Sequence, residues 1–115
     1  AILRQPASTN AQIAGQIRDL GRVGGNTDGM VTDVKGNLYI TDVTRNGIVR
    51  YDPETHSMSL IAASEEVRWP DTLAIRPNGD LVFTSSRLND HFAGTVKPGE
   101  ERYDLWRLRL DALQK

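Results

Sequence analysis

The chain has 115 residues, of which 38% are hydrophobic and 25% charged, and its formal net charge is −1, a composition typical of one small globular domain. Because basic and acidic residues are interspersed, we expect neither nucleic acid nor an anionic membrane surface as a partner. The absence of cysteine excludes disulfides, thiolate metal sites and a cysteine nucleophile.

Residues 1–26 are predicted to form a connector. Residues 2–4 are interpreted as the end of a strand from a preceding unit, and a start without Met or a signal-peptide pattern indicates part of a longer protein. Ile13, Ile17 and Leu20 recur at helical spacing behind a cluster of Ser, Thr and Asn. This pattern predicts a short amphipathic helix over residues 10–19.

An internal repeat follows the connector. Residues 27–42 align with residues 70–85 at a constant offset of 43, which pairs Asp28 with Asp71 and Gly36 with Gly79. In each copy, a short apolar strand leads into a turn whose glycine can adopt positive φ, and a second strand comes after it. Each copy therefore predicts a β-hairpin.

The first copy continues into two further strands. They are predicted over residues 47–51 and 57–62, with a turn between them at residues 52–55. Four antiparallel strands in a period of about 40 to 45 residues are typical of a propeller blade. Residues 27–63 are therefore predicted to form one blade.

Residues 64–115 are predicted to form a second, incomplete blade with a long loop at residues 87–103. Its third strand, over residues 104–110, places Trp106, Leu108 and Leu110 on one face, and no fourth strand follows. The predicted fold class is all-β: a β-propeller fragment of about two four-stranded antiparallel blades with a short N-terminal helix.

The strand order places polar residues on one face of the predicted wheel. In an up-and-down blade, the loop that enters the first strand and the loop that joins the second to the third open on the same face. Asp28 and Asp71 precede the innermost strands, so we expect them beside the central channel. The candidate ligand-binding residues on this face are Asp28, Asp71, Asp42, Arg45, Arg87 and His91.

The two inner-strand aspartates have structural, metal-binding and catalytic interpretations. An Asp before a strand can accept hydrogen bonds from turn amides. Alternatively, Asp28 and Asp71 could supply part of the oxygen shell of Ca²⁺ or another divalent cation. As a general base, Asp28 would need its pKa raised by burial or a neighbouring negative charge.

The other candidate residues also have more than one interpretation. Arg45 and Arg87 could form interblade ion pairs or contact a substrate, and His91 could be a proton donor, a metal ligand or simply solvated. Trp69 is predicted to be extended because Pro70 follows it, with its ring packed between blades. The sequence contains no nucleophile elbow, P-loop or dinucleotide fingerprint, so no enzyme class is indicated.

Several motifs resemble the bacterial branch of the yellow/major royal jelly protein family, over nearly the whole chain. They are Thr27-Asp28-Gly29-Met30, Gly36-Asn37-Leu38-Tyr39-Ile40-Thr41-Asp42, Arg45-Asn46-Gly47-Ile48, Trp69-Pro70-Asp71-Thr72 and Tyr103-Asp104-Leu105-Trp106-Arg107. The resemblance implies the C-terminal part of a six-bladed propeller that is secreted or periplasmic. It also implies small-molecule binding, since insect relatives act on pigment precursors or bind biogenic amines in the central channel.

Asp28-Gly29 also resembles a motif of gluconolactonase-like propellers, in which the Asp is a catalytic metal ligand. Three functions therefore stay open. The chain is part of a small-molecule-binding propeller with its ligand at the channel mouth, a divalent-metal-dependent lactonase or hydrolase that uses Asp28, or a structural fragment. In the last case the remaining blades come from other copies of the chain.

Overall fold

The computed structural model describes residues 8–22 and 24–113, so the strand end predicted at residues 2–4 lies outside the described residues. Two helices and seven strands occur in this part of the chain. In order, they are α1 (Asn10–Ala14), β1 (Met30–Thr32), β2 (Leu38–Asp42), β3 (Gly47–Asp52), β4 (Ser57–Ala63), β5 (Pro70–Ile75), β6 (Leu81–Ser85), α2 (Leu88–Phe92) and β7 (Asp104–Leu108). A short 3₁₀ helix, Leu110–Leu113, follows β7.

The strands form two antiparallel sheets, each in sequence order. The first sheet is β1-β2-β3-β4 and the second is β5-β6-β7. A four-stranded meander next to a three-stranded one confirms the predicted fold class, a propeller fragment. None of the helices in the described part of the chain is long and apolar enough to cross a membrane.

The two hairpin turns of the repeat have the same geometry. Gly36 and Gly79 have φ values of 86° and 90°, a left-handed conformation that glycine adopts without a steric penalty. The backbone amide of Asp33 donates to the carbonyl of Asn37 over 3.0 Å, and that of Arg76 to the carbonyl of Asp80 over 2.9 Å. The repeat in the sequence is therefore a repeat in backbone structure.

The hydrophobic core lies between the two sheets. Its buried side chains come from both of them and from the segment that joins them, and they are Tyr39, Ile48, Val67, Leu73, Leu81 and Phe83. Trp106 and Leu108 on β7 pack against this cluster, as the predicted face of the last strand requires. Leu110 packs there too, but the predicted extension of the strand to residue 110 is wrong, because β7 ends at Leu108 and Leu110 begins the 3₁₀ helix. Burying one such large apolar side chain contributes about 1.5–3 kcal/mol, so the blade–blade contact is a main source of stability.

Helix α1 is shorter than the predicted helix over residues 10–19. Thr9 caps its N-terminus in a capping box with Gln12, whose backbone amide donates to Thr9 Oγ1 over 3.2 Å. The helix ends at Ala14 because Gly15, a poor helix former, serves as its C-cap. Ile17 is 67% exposed, so no packing of the apolar face extends the helix past the glycine.

Candidate functional site

The loop before β1 packs closely against the start of β5. The backbone carbonyl of Asp71 occupies the space in which a Cβ atom of residue 29 would stand, and the Leu73 side chain adjoins it. Only glycine permits this approach. Asp28, which is exposed, and Asp71, which is half-buried, are thereby brought to the same edge of the two sheets, as the strand order predicts.

Thr41 fixes the backbone that carries Asp28. Its Oγ1 accepts hydrogen bonds from the amides of Asp28 and Gly29 over 3.0 and 2.9 Å, and the Thr41 side chain is fully buried. In the second sheet, Thr84 occupies the equivalent place and accepts one bond, from the amide of Thr72 over 3.2 Å. Thr41 on β2 therefore holds the loop before β1, whereas Thr84 on β6 bonds to a residue within β5.

Trp69 links the two blades at this edge. Its indole Nε1 donates a hydrogen bond of 2.6 Å to Oδ2 of Asp28. Its φ is 49°, so the prediction of an extended Trp69 is wrong. A bulky residue with positive φ is uncommon and costs about 1–3 kcal/mol.

Tertiary contacts explain this backbone conformation. The amides of Ser86 and Arg87 both donate to the carbonyl of Arg68, over 3.1 and 3.3 Å, which holds the turn before Pro70. Together with the Asp28 bond, they outweigh the preference of a residue before proline for extended structure. The dipeptide itself carries no signal for this, so Trp69 was assigned only a packing role from sequence.

Asp42 and Arg45 pair with one another inside the first blade. Arg45 Nε lies 2.7 Å from Asp42 Oδ2, and the amides of Thr44 and Arg45 donate to Oδ1 over 3.1 and 2.9 Å. Burial by itself would raise the pKa of Asp42, but these bonds and the guanidinium charge lower it, and the net shift is downward. Among the described residues, Arg45 thus forms an intrablade pair.

Arg87 also pairs locally, with an aspartate that the sequence analysis did not single out. Asp90 lies between two guanidinium groups, with Arg68 Nη2 at 2.6 Å from Oδ1 and Arg87 Nε at 3.0 Å from Oδ2. The hydrogen bond from Arg87 lowers the pKa of Asp90 and outweighs the effect of burial, and Arg68 adds to the lowering. The sequence signal that could have identified Asp90 is the presence of Arg68 and Arg87 at the two ends of the β5–β6 hairpin, because two cationic side chains there need an acidic partner.

Helix α2 brings two further rings to this face. His91 is exposed, and its ring centroid lies 6.2 Å from that of Phe92. Phe92 in turn approaches Trp69 edge to face, with 6.5 Å between centroids and 85° between ring planes. Asp28, Trp69, Phe92 and His91 therefore follow one another along this edge, whereas Asp42 and Arg45 form a separate pair.

The surroundings of Asp28 do not fit a divalent-cation site. Trp69 Nε1 points its hydrogen at the carboxylate, whereas Ca²⁺ needs six to eight oxygen ligands. Within residues 8–22 and 24–113, no group of three or more His, Cys, Asp or Glu side chains could hold a metal. The metal and lactonase roles of Asp28 stay predictions from a motif, with no contact here that favours them.

The comparison with protein families agrees with this geometry. A family described as "Major royal jelly protein" matches residues 1–115, which is the full chain and includes both sheets and the loops of the candidate site. The comparison with curated proteins gives no significant match. The family match and the two antiparallel blade sheets lead to one conclusion: the chain belongs to the major royal jelly protein family.

Proposed function

We propose that this protein binds a small molecule at the edge formed by Asp28, Asp71 and Trp69, at the channel mouth of a closed six-bladed propeller. The observation that carries the proposal is the interblade hydrogen bond from Trp69 to Asp28, made by a residue in a strained backbone conformation. Such strain persists only where the surrounding structure maintains it, and it is concentrated at ligand sites.

The chemistry of this edge suits a ligand with a flat ring and a hydrogen-bond donor. An exposed carboxylate accepts charge-assisted hydrogen bonds from hydroxyl or ammonium groups, and the neighbouring indole offers a flat apolar surface that attracts cations. The amine-binding relatives named in the sequence analysis have ligands of this type. We therefore place aromatic amines and catechols in the first test panel, and add sugars as ligands that have hydroxyl donors on a puckered ring.

Calorimetric titration of the full-length protein with dopamine, catechol and glucose tests the proposal. At least one of these compounds should bind, and Asp28→Asn should weaken that binding about tenfold or more, because a charge-assisted hydrogen bond contributes about 1.5–3 kcal/mol. Asp111→Asn is the matched control, since it removes a carboxylate that is 75% exposed. Absence of binding across the panel would contradict the proposal.

The same titration with CaCl₂ addresses the metal-dependent alternative. Cation binding at Asp28 would compete with the Trp69 hydrogen bond, so a calcium affinity lost in Asp28→Ala would revive the lactonase interpretation. If Asp28→Ala has the same calcium affinity as the wild type, the lactonase interpretation loses its support.

We also propose that further blades cover the outer face of the first sheet. Met30, Ile40, Val49 and Leu60 stand opposite one another in register across its four strands. Ile40 and Val49 are buried, but Met30 and Leu60 are 60% and 43% exposed. An apolar row of this kind needs a packing partner.

The second sheet has an open side as well. Strand β7 pairs only with β6 among the described residues, and Leu105 on it is 74% exposed. An unpaired edge is a template for another strand. Light scattering distinguishes the two sources of the missing blades: the mass of one chain indicates the same polypeptide, and the mass of several copies indicates assembly of the wheel from separate chains.

A further inference from the structure

We infer that helix α2 is a fixed rim of the proposed ligand site, with Asp90 as its positioning residue and Phe92 as a specificity-determining residue. This inference rests on the proposed function, because it assigns a role toward the ligand at the Asp28–Trp69 edge. It concerns the long loop after β6, whose length is compatible either with a mobile lid or with a fixed wall.

Asp90 ties α2 to the segment before β5 through its side chain, and to the following part of its own loop through its backbone. Its carboxylate is only 15% exposed and receives both Arg68 and Arg87. Its carbonyl accepts bonds from the amide and the hydroxyl of Thr95, each 3.0 Å long. Arg68 directly precedes Trp69. Asp90 therefore holds α2 in place and, through Arg68, also fixes the turn that orients the Trp69 indole.

A second tie joins the start of the loop to its far end. Arg87 Nη1 donates to the carbonyl of Glu100 over 3.3 Å, while the Arg87 Nε bond goes to Asp90. One guanidinium therefore holds both ends of the segment. Charge-assisted hydrogen bonds are about twice as strong as neutral ones, so this arrangement favours a wall over a lid.

The consequence of this bracing is the position of Phe92. Its ring is 73% exposed yet meets Trp69 edge to face at 6.5 Å, an arrangement that aromatic pairs favour. The Trp69 indole is thus held by two contacts. Asp28 accepts the hydrogen bond from its nitrogen, and the Phe92 ring packs against it edge to face. A ligand bound to the Asp28 carboxylate lies against the indole and within reach of the Phe92 ring. Contact with these two aromatic side chains favours a ligand with a flat ring.

Tryptophan fluorescence tests the positioning role without any ligand. These 115 residues contain two tryptophans, so Trp106→Phe, with every tryptophan of the remaining blades also changed to Phe, leaves Trp69 as the one reporter and keeps an aromatic ring in the core. In this background, Asp90→Asn should increase acrylamide quenching of Trp69 and shift its emission to longer wavelength, while Asp111→Asn should change neither. Unchanged quenching in Asp90→Asn, with an unchanged circular dichroism spectrum, would overturn the fixed rim.

A matched pair of diols tests the specificity role. Catechol is flat, whereas cis-cyclohexane-1,2-diol carries two vicinal, aliphatic hydroxyl groups on a puckered ring, so each compound is compared with itself between the wild type and the variant. Phe92→Leu keeps an apolar side chain on an exposed position and should weaken catechol binding about threefold or more without changing the affinity for cyclohexane-1,2-diol. Equal losses for both diols, or no loss for either, would overturn the role of Phe92.

The outcomes also separate this inference from the proposed function. If Asp28→Asn weakens catechol binding but Phe92→Leu does not, the ligand site stands and the specificity role fails. If the wild-type protein binds no compound of the panel, the proposed function fails and the specificity role fails with it. In that case, the fluorescence of Asp90→Asn still tests whether Asp90 holds α2 and Trp69 in place, because that experiment uses no ligand.

Discussion

Gly29 lies so close to the backbone carbonyl oxygen of Asp71 that no side chain fits between them. The contact joins the loop before β1 to β5, and it sets the distance between the two blades at the edge where Asp28 and Trp69 meet. A main-chain oxygen at this position cannot rotate away as a side chain could, so relief requires the two sheets to separate.

We therefore expect Gly29→Ala to destabilise the protein by about 1–3 kcal/mol, the usual cost of overpacking a close contact. Urea denaturation monitored by circular dichroism measures the change in the free energy of unfolding. Gly24→Ala is the matched control, because a Cβ atom there meets nothing within 4 Å. Equal stability of the two variants would contradict the role of the Gly29–Asp71 contact.

Thr41→Val should be more destabilising than Thr84→Val. The substitution keeps the shape of the side chain but removes an acceptor for two part-buried amides. A fully buried donor left without a partner costs about 1–3 kcal/mol, and partial access of water reduces that cost here. Thr84 is exposed and accepts one bond in the second sheet. Denaturation midpoints of the two variants give the comparison, and the reverse order would show that Thr41 does not hold the Asp28 loop.

Asp42 should make stability depend on acidic pH. Its pKa in the folded protein is lowered from the ordinary value of 3.8 by hydrogen bonds and by Arg45, so its contribution is present above 3.8 and is lost as the pH falls through the lowered value. The free energy of unfolding should therefore fall less between pH 5 and pH 2 in Asp42→Asn than in the wild type.

Urea denaturation at several pH values checks this difference. Asp33 and Asp90, whose pKa values are also lowered, contribute to the pH dependence of both proteins and cancel in the comparison. A pH dependence in Asp42→Asn that matches the wild type would show that the Asp42–Arg45 pair does not stabilise the fold.

The two hairpin glycines should be equally intolerant of substitution. Gly36 and Gly79 have nearly the same positive φ, and a left-handed conformation costs a residue with a side chain about 1–2 kcal/mol. Gly36→Ala and Gly79→Ala should each lower the free energy of unfolding by about that amount. A cost in only one variant would indicate that its turn can change conformation.

Much of the fold follows from local sequence pattern. The alignment of Gly36 with Gly79 predicts both hairpins because each turn is closed within a few residues by a backbone conformation that only glycine adopts easily. The spacing of Trp106 and Leu108 predicts the core-facing side of β7 because side chains alternate along a strand, whereas Leu110 lies in the 3₁₀ helix that follows. The end of helix α1 was less predictable, because it depends on whether Ile17 finds a packing partner.

The candidate site shows where local pattern stops being sufficient. The sequence by itself determined the repeated hairpins and the order of the strands within each blade, since these depend on neighbours along the chain. The strand order also predicted that Asp28 and Asp71 open on one face, and the close contact of Gly29 with Asp71 brings them together. Tertiary structure alone decided that Trp69 turns its backbone left-handed to reach Asp28, and that Asp90 receives Arg68 and Arg87. The physical reason is that the Trp69–Asp28 and Arg68–Asp90 hydrogen bonds connect residues 41 and 22 positions apart, and their energy outweighs the local preferences that a sequence pattern reports. The Arg87–Asp90 bond spans only three positions, but Arg68 reaches the same carboxylate only through the tertiary fold.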